Sequence, residues 1–196
     1  AANIPLYLLG QAVKNDVKVV LQGDGGDELF GGYKRYQTLR MEPIWSKFAG
    51  IMQHINNFLP NKNPSGQVRK RYLDLLNSPN HAELMGLLLT VESQAEDPLK
   101  IFSQPTYDVI SDCNPFSAFE RCSKRFEHLD LTQKMLFTDT QVILPDIFLE
   151  KVDRSTMAAS IEVRVPFLDN DLIDFAMGLP SSFKVKGAKK KSLLID

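Results

Sequence analysis

Apolar and polar positions change rhythm twice along the chain. Leu6, Leu9 and Val13 fall at helical spacing and predict a short helix over 6–13. The compact run Val17-Lys18-Val19-Val20-Leu21 predicts a buried strand that ends at Gly23. A glycine-rich loop follows, Gly23-Asp24-Gly25-Gly26-Asp27-Glu28, before Leu29-Phe30 resumes the apolar pattern and Gly31-Gly32 interrupts it. Helix, strand, glycine loop and helix in that order are the grammar of a parallel α/β sheet. From Met41 the rhythm is helical. Residues 44–59 are amphipathic and stop at Pro60, 61–66 is a loop, and helices are predicted over 68–76 and 81–91. Pro98, Pro105 and Pro115 divide 93–115 into short pieces and turns. Further helices are predicted over 116–126 and 131–143, with a new one opening at Pro145 and running to about Ser160. Glu162 and Arg164 alternate with Ile161, Val163 and Val165 in a short extended pattern, and 171–177 closes the series as a helix. The expected chain is mainly α-helical with one or two strands, and the strand at 17–21 needs partners.

Composition narrows the class. The chain has 196 residues, 43% of them hydrophobic, which suffices for a core and excludes collagen, a disulfide scaffold and a disordered polyampholyte. No apolar run approaches membrane-spanning length, and the start lacks the basic region of a secretory signal. With 23 basic against 24 acidic residues, a dedicated nucleic-acid binder is not expected. Cys113 and Cys122 lie outside any CxxC pair, which disfavours structural zinc and suits reduced thiols in the cytoplasm. One asymmetry stands out. Lys184, Lys186, Lys189, Lys190 and Lys191 leave the preceding 183 residues with 18 basic against 23 acidic groups. Such an end is either a solvated tail or a segment facing an anion such as pyrophosphate.

The glycine-acid loop is the strongest local signal. Gly23, Gly25 and Gly26 permit close backbone approach to an anion, and Asp24, Asp27 and Glu28 in the same turn suit a phosphate that arrives with magnesium. The loop is neither a Walker loop, a GxGxxG turn nor an EF-hand. An acidic turn that only shapes and caps the next helix explains the same residues. A second cluster puts Lys151, Arg154 and Ser155 at i, i+3 and i+4, with Glu150 and Asp153 beside them. It is either a salt-bridged helix face or a cation poised over developing negative charge.

Taken together, the two clusters resemble a known family. Residues 19–33 are similar to the GDGGDELFGGY segment of glutamine-dependent asparagine synthetases. Leu144-Pro145-Asp146, the run from Lys151 to Ala158 and the run from Ile161 to Asp169 resemble the later LPD, KVDRxSMA and LEARVPFLD segments, in the same order and spacing. The resemblance implies an α/β synthetase domain of the ATP-pyrophosphatase type, with a parallel sheet flanked by helices as in adenine nucleotide alpha hydrolases. It implies ATP and Mg²⁺, aspartate activated as a β-aspartyl-adenylate, and ammonia delivered from glutamine by a separate domain. By this resemblance Asp27 helps bind magnesium, Asp24 lies near the adenylate, and Glu28 supports the loop and counts with the catalytic acids. Arg154 stabilises the intermediate with Lys151 as second choice, and Gly23 and Gly25 let the backbone approach the nucleotide. Glu162, Arg164 and Asp169 are expected to be structural.

The family's SGGxDS phosphate loop and its glutaminase cysteine have no counterpart here, and the family's K-Y-x-L-R reads Lys191-Ser192-Leu193-Leu194-Ile195. The expectation is therefore one partial domain over 1–196, cut from a longer parent and inactive alone. An uncovered strand edge predicts a dimer or higher assembly. Two other readings carry weight: an amidotransferase of the same fold acting on a sugar acid or closing a β-lactam, and a helical assembly module without catalysis.

Overall fold

A computed structural model describes residues 2–44, 47, 48, 50, 51, 54, 81–88, 102–114, 116–187 and 189–195. The chain divides into two units, residues 1–37 with 132–196, and residues 38–131. The first unit holds every residue of the two candidate clusters.

That unit opens with α1 (Asn3–Val13), three residues earlier than the apolar spacing predicts. Pro5 lies in its first turn, where a missing N–H costs nothing. β1 (Val19–Leu21) follows and pairs in parallel with β2 (Glu162–Arg164), Val20 opposite Val163. The partner strand is thus supplied by the short extended pattern at 161–165. Burial departs from expectation. Val19 and Leu21 are 39% and 73% exposed, whereas Val20 is half-buried. Two strands cover each other's edges and not their faces, so alternate residues of β1 stay open.

α2 (Gly26–Phe30) and the start of α3 (Lys34–Arg40) come next. In the C-terminal part, α7 (Leu131–Thr138), a π-helical stretch (Asp139–Leu149) and α8 (Glu150–Met157) run on without a break. The expected new helix at Pro145 is not there; Pro145 lies inside the π stretch. In an α-helix the proline ring meets the carbonyl four residues back, and the wider π turn displaces that carbonyl. α8 ends where Ser160 takes a left-handed φ of 61° and Ile161 N–H returns to Thr156 O at 3.0 Å. A 3₁₀ turn (Pro166–Leu168) leads to α9 (Asn170–Gly178), capped by the Asp169 carboxylate on the N–H groups of Asp171 and Leu172. α10 (Ser181–Lys184) and α11 (Ser192–Ile195) finish the unit. α1 packs on α8, and Leu29, Phe30, Ala176 and Met177 form a core between α2 and α9.

In the second unit, α4 (His81–Leu88) buries Ala82, Met85 and Leu88 and packs against α6 (Ser117–Arg125), which buries Phe119. Between them in sequence, α5 (Gln104–Ile110) forms a regular helix with Pro105 in its first turn, in a region where turns were expected. Of the helix expected over 44–59, residues 44, 47, 48, 50, 51 and 54 are described and helical. The helix expected over 68–76 lies outside the described residues. Among the described residues no helix is long and apolar enough to cross a membrane.

Candidate functional site

The glycine-acid segment is shaped by one left-handed residue. Gly25 sits at φ +84° and caps α2, and a Cβ there would collide with the Leu168 side chain. The cap places both Asp27 and Glu28 in the first turn of α2, where carboxylates favour the positive helix end. Gly26 N–H donates to Gly23 O at 3.3 Å and closes the turn before α2.

The three acids then part company. Asp24 accepts from Gln22 Nε2 at 2.9 Å. Asp27 pairs with Lys191 Nζ at 2.7 Å. Glu28 is 2% exposed and accepts the Tyr33 hydroxyl at 2.8 Å. Gly32 makes the Asp27–Lys191 pair possible: a Cβ at that position would overlap Asp27 Oδ1 and stand 2.5 Å from Lys191 Cε.

Asp27, Gly32, Lys189, Lys190, Lys191 and Ile195 line an open cavity of about 640 Å³. Three cations face one carboxylate there, which is an electrostatic setting for a polyanion. The lysine-rich end is thereby divided. Lys189, Lys190 and Lys191 line the cavity, Lys186 is exposed, and Lys184 is 1% exposed within α10. The tight turn that brings this about is closed by reciprocal backbone bonds between Lys186 and Lys189, and by Ser192 Oγ donating to Phe183 O at 2.6 Å. Ile195, expected where family members carry arginine, forms part of the wall.

The second cluster is mostly surface. Arg154 pairs with Glu150 on its own helix at 2.5 Å, and its side chain is 75% exposed. Ser155 is buried and donates to Lys151 O at 2.7 Å. Lys151 is half-buried, with Nζ 4.8 Å from the centroid of the Phe148 ring. Among the described residues no hydrogen bond or ion pair joins Lys151 or Arg154 to Asp24, Asp27 or Glu28. Glu162 and Arg164 pair with each other at 2.8 Å on the surface.

A buried polar cluster lies beside these residues. Asp139, the first residue of the π stretch, is fully buried. Its Oδ2 accepts from Arg35 Nε at 3.0 Å, Arg35 Nη2 at 2.8 Å and the Tyr36 hydroxyl at 2.5 Å. Its Oδ1 is buried with no partner. Burial pushes the Asp139 carboxyl up to about 6 against the pull of Arg35 and the Tyr36 bond, with Glu28 adding to the rise. Burial, then the neighbouring carboxylates, likewise raise the Tyr33 and Tyr36 hydroxyls well above their ordinary value. Arg35 lies 4.0 Å from the centroid of the Tyr33 ring, and Phe148 stacks on Tyr33 at 6.5 Å and 16°. Sequence reasoning included Tyr33 only as the last residue of the 19–33 segment and gave no role to it, to Arg35 or to Asp139. The polar-aromatic run at 33–36, directly after Gly31-Gly32, was the available hint for the first two.

Among the described residues no group of three or more His, Cys, Asp or Glu could hold a metal ion. Asp27 offers one carboxylate, which fits magnesium only in the form in which substrate phosphates and water supply the other ligands.

Comparison with known proteins supplies the context. The family model described as asparagine synthase matches residues 1–195. The chain is 30% identical to "Asparagine synthetase [glutamine-hydrolyzing] 1" of Bacillus subtilis (strain 168), over 98% of this chain and 30% of that protein. It is 29% identical to "Putative asparagine synthetase [glutamine-hydrolyzing]" of Mycobacterium tuberculosis (strain ATCC 25618 / H37Rv), over 98% of this chain and 29% of that protein. It thus spans about 30% of the length of these relatives. No solved structure gives a significant match.

Proposed function

Because this chain belongs to the asparagine synthase family, we propose that it is part of a synthetase domain that couples ATP cleavage to amidation of the aspartate side chain. In this reading the β1–β2 pair belongs to the wider parallel sheet of an ATP-pyrophosphatase. Ammonia comes from glutamine, hydrolysed elsewhere in a longer protein.

The observation that carries the reading is the cavity in which Asp27 meets Lys189, Lys190 and Lys191. The lysines hold the leaving pyrophosphate and spread its negative charge as the α-phosphate is transferred to the carboxylate. Magnesium, when bound at Asp27, supplies further neutralisation of the phosphate oxygens. Lys191 now occupies that carboxylate, so it exchanges one partner for another on loading and is left free to meet phosphate. Asp24, held by Gln22 at the end of β1, lies near the acyl-adenylate. There it orients the incoming amine and takes up a proton as the amide forms. Lys151 and Arg154 provide positive charge beside the adenylate. For Arg154 this requires leaving Glu150, a small cost for an exposed pair. Gly23 and Gly25 shape the turn that presents Asp24.

Calorimetric titration of magnesium pyrophosphate and Mg-ATP into the full-length protein tests the reading. Asp27→Ala and Lys191→Met are each expected to weaken binding by about tenfold or more, as lost charge-assisted contacts do. Pyrophosphate release is expected to require aspartate. Unchanged binding in both variants overturns the site. Release that answers to another carboxylate and not to aspartate transfers the protein to the related amidotransferases.

A further inference from the structure

We propose that Tyr33 is a positioning residue that couples the acidic first turn of α2 to Lys151, with Arg35 and Asp139 fixing its ring. The role is defined for the amidation proposed above and rests on that reading for its chemical meaning. The connection is continuous. Tyr33 donates to Glu28 Oε1 at 2.8 Å, and Glu28 is the immediate neighbour of Asp27 in a helix of only five residues. The Tyr33 bond holds the Glu28 side chain in one rotamer, and Glu28 and Asp27 share the first turn of that helix, so the bond restrains the turn that carries the cavity carboxylate. On the other side, Phe148 stacks on Tyr33 and lies under Lys151 Nζ. Arg35 lies against the same tyrosine ring and is anchored by two bonds to Asp139 Oδ2.

The polarity of the cluster argues against plain packing. Two carboxylates, Glu28 and Asp139, are 2% and 0% exposed beside one guanidinium, and Asp139 Oδ1 has no partner. Apolar groups of the same volume would serve stability as well or better. What the polar arrangement adds is orientation: each side chain has one geometry in which its bonds are made.

The test compares Tyr33→Phe and Asp139→Asn with Leu136→Val, a fully buried core change outside the cluster. It uses the full-length protein and two readouts, steady-state kinetics and amide hydrogen exchange at Leu29, Gly31 and Gly32, whose N–H groups donate to Gly25 O and Asp27 O. Tyr33→Phe keeps the ring and removes only the bond to Glu28. It is expected to lower kcat by roughly tenfold to a hundredfold with KM for Mg-ATP within about threefold, because misplacement acts on the reacting geometry. Both cluster variants are expected to speed exchange at Leu29, Gly31 and Gly32, and Leu136→Val to leave it unchanged. A kcat for Tyr33→Phe within about twofold of wild type overturns the inference, since misplacement is the only effect claimed. So does Leu136→Val producing the same kinetic and exchange changes, which would make the cluster ordinary core. A wild-type protein without amidation activity refutes the proposed function. Exchange at Gly31 and Gly32, whose N–H groups donate to Asp27 O, then decides the coupling alone: faster exchange in both cluster variants upholds it, and unchanged exchange overturns it.

Discussion

Replacing Asp139 with asparagine tests a balance that the Arg35–Asp139 pair sets up. An ion pair ordinarily lowers an acid's pKa, yet burial wins here and the carboxyl rises from its ordinary 3.8 to about 6. The folded state therefore holds this proton more tightly than the unfolded chain does. Between those two pH values the folded protein binds more protons than the unfolded one, so stability falls as pH rises. The group's contribution is complete below about pH 4 and is lost as pH climbs through about 6, and its size is about 3 kcal/mol. Asparagine keeps an acceptor oxygen for Arg35 and does not titrate. Urea unfolding of wild type and Asp139→Asn, measured in steps from about pH 4 to pH 8, isolates the residue, because every other group titrates in both proteins. The expected result is that wild type loses about 3 kcal/mol relative to the variant across this range, so the substitution is less costly at pH 7 than at pH 4. A substitution cost that grows with pH would mean that Arg35 outweighs burial, and would refute the reasoning.

Three further outcomes follow from single contacts. Gly25→Ala is expected to lower stability by about 1–3 kcal/mol in thermal unfolding, because φ is +84° and Leu168 blocks the added methyl. Gly26→Ala, whose Cβ would meet only Phe167 at 3.4 Å, is expected to cost less. Asp169→Ala removes the side-chain cap of α9 and is expected to cost about 1 kcal/mol in urea unfolding, with Asp169→Asn retaining most of it. Arg154→Ala breaks an exposed i,i+4 pair and is expected to shift unfolding by less than about 0.5 kcal/mol, so any loss of turnover in that variant is chemical.

Local signals in the sequence reached as far as local structure goes. The β-branched run at 17–21 marked β1, the acids and glycines marked the turn after it, and the helix predicted over 171–177 is α9 to within one residue at each end. What failed was set by distant residues. Arg35 and Asp139 are 104 positions apart, and neither residue type nor spacing points from one to the other. The exposure of Val19 and Leu21 depends on which surfaces cover the sheet, which composition does not encode. Pro145 was a sound stop signal for an α-helix, but the chain keeps its helix by changing hydrogen-bond register, so the boundary vanished. The lysine-rich end held two contrary answers, because α10 takes Lys184 inside while the turn after it delivers Lys189, Lys190 and Lys191 to the cavity.

The acids of the loop show how one backbone decision distributes chemistry. Asp24, Asp27 and Glu28 look interchangeable as letters, and a single magnesium-binding turn was a fair reading of them. The left-handed cap at Gly25 fixes where α2 begins. Successive helical residues are turned by about 100°, so two neighbouring acids cannot face the same way. With this phase Asp27 reaches Lys191 at the cavity, and Glu28 points inward to Tyr33. Asp24 precedes the cap and stays with Gln22 at the strand end. Starting the helix one residue later would bring Glu28 to the cavity position and put Leu29 where Glu28 now meets Tyr33, leaving the Tyr33 hydroxyl without its acceptor. Gly25 thus does more than permit a close approach: through the phase of five residues it decides which carboxylate lines the cavity and which one holds the scaffold.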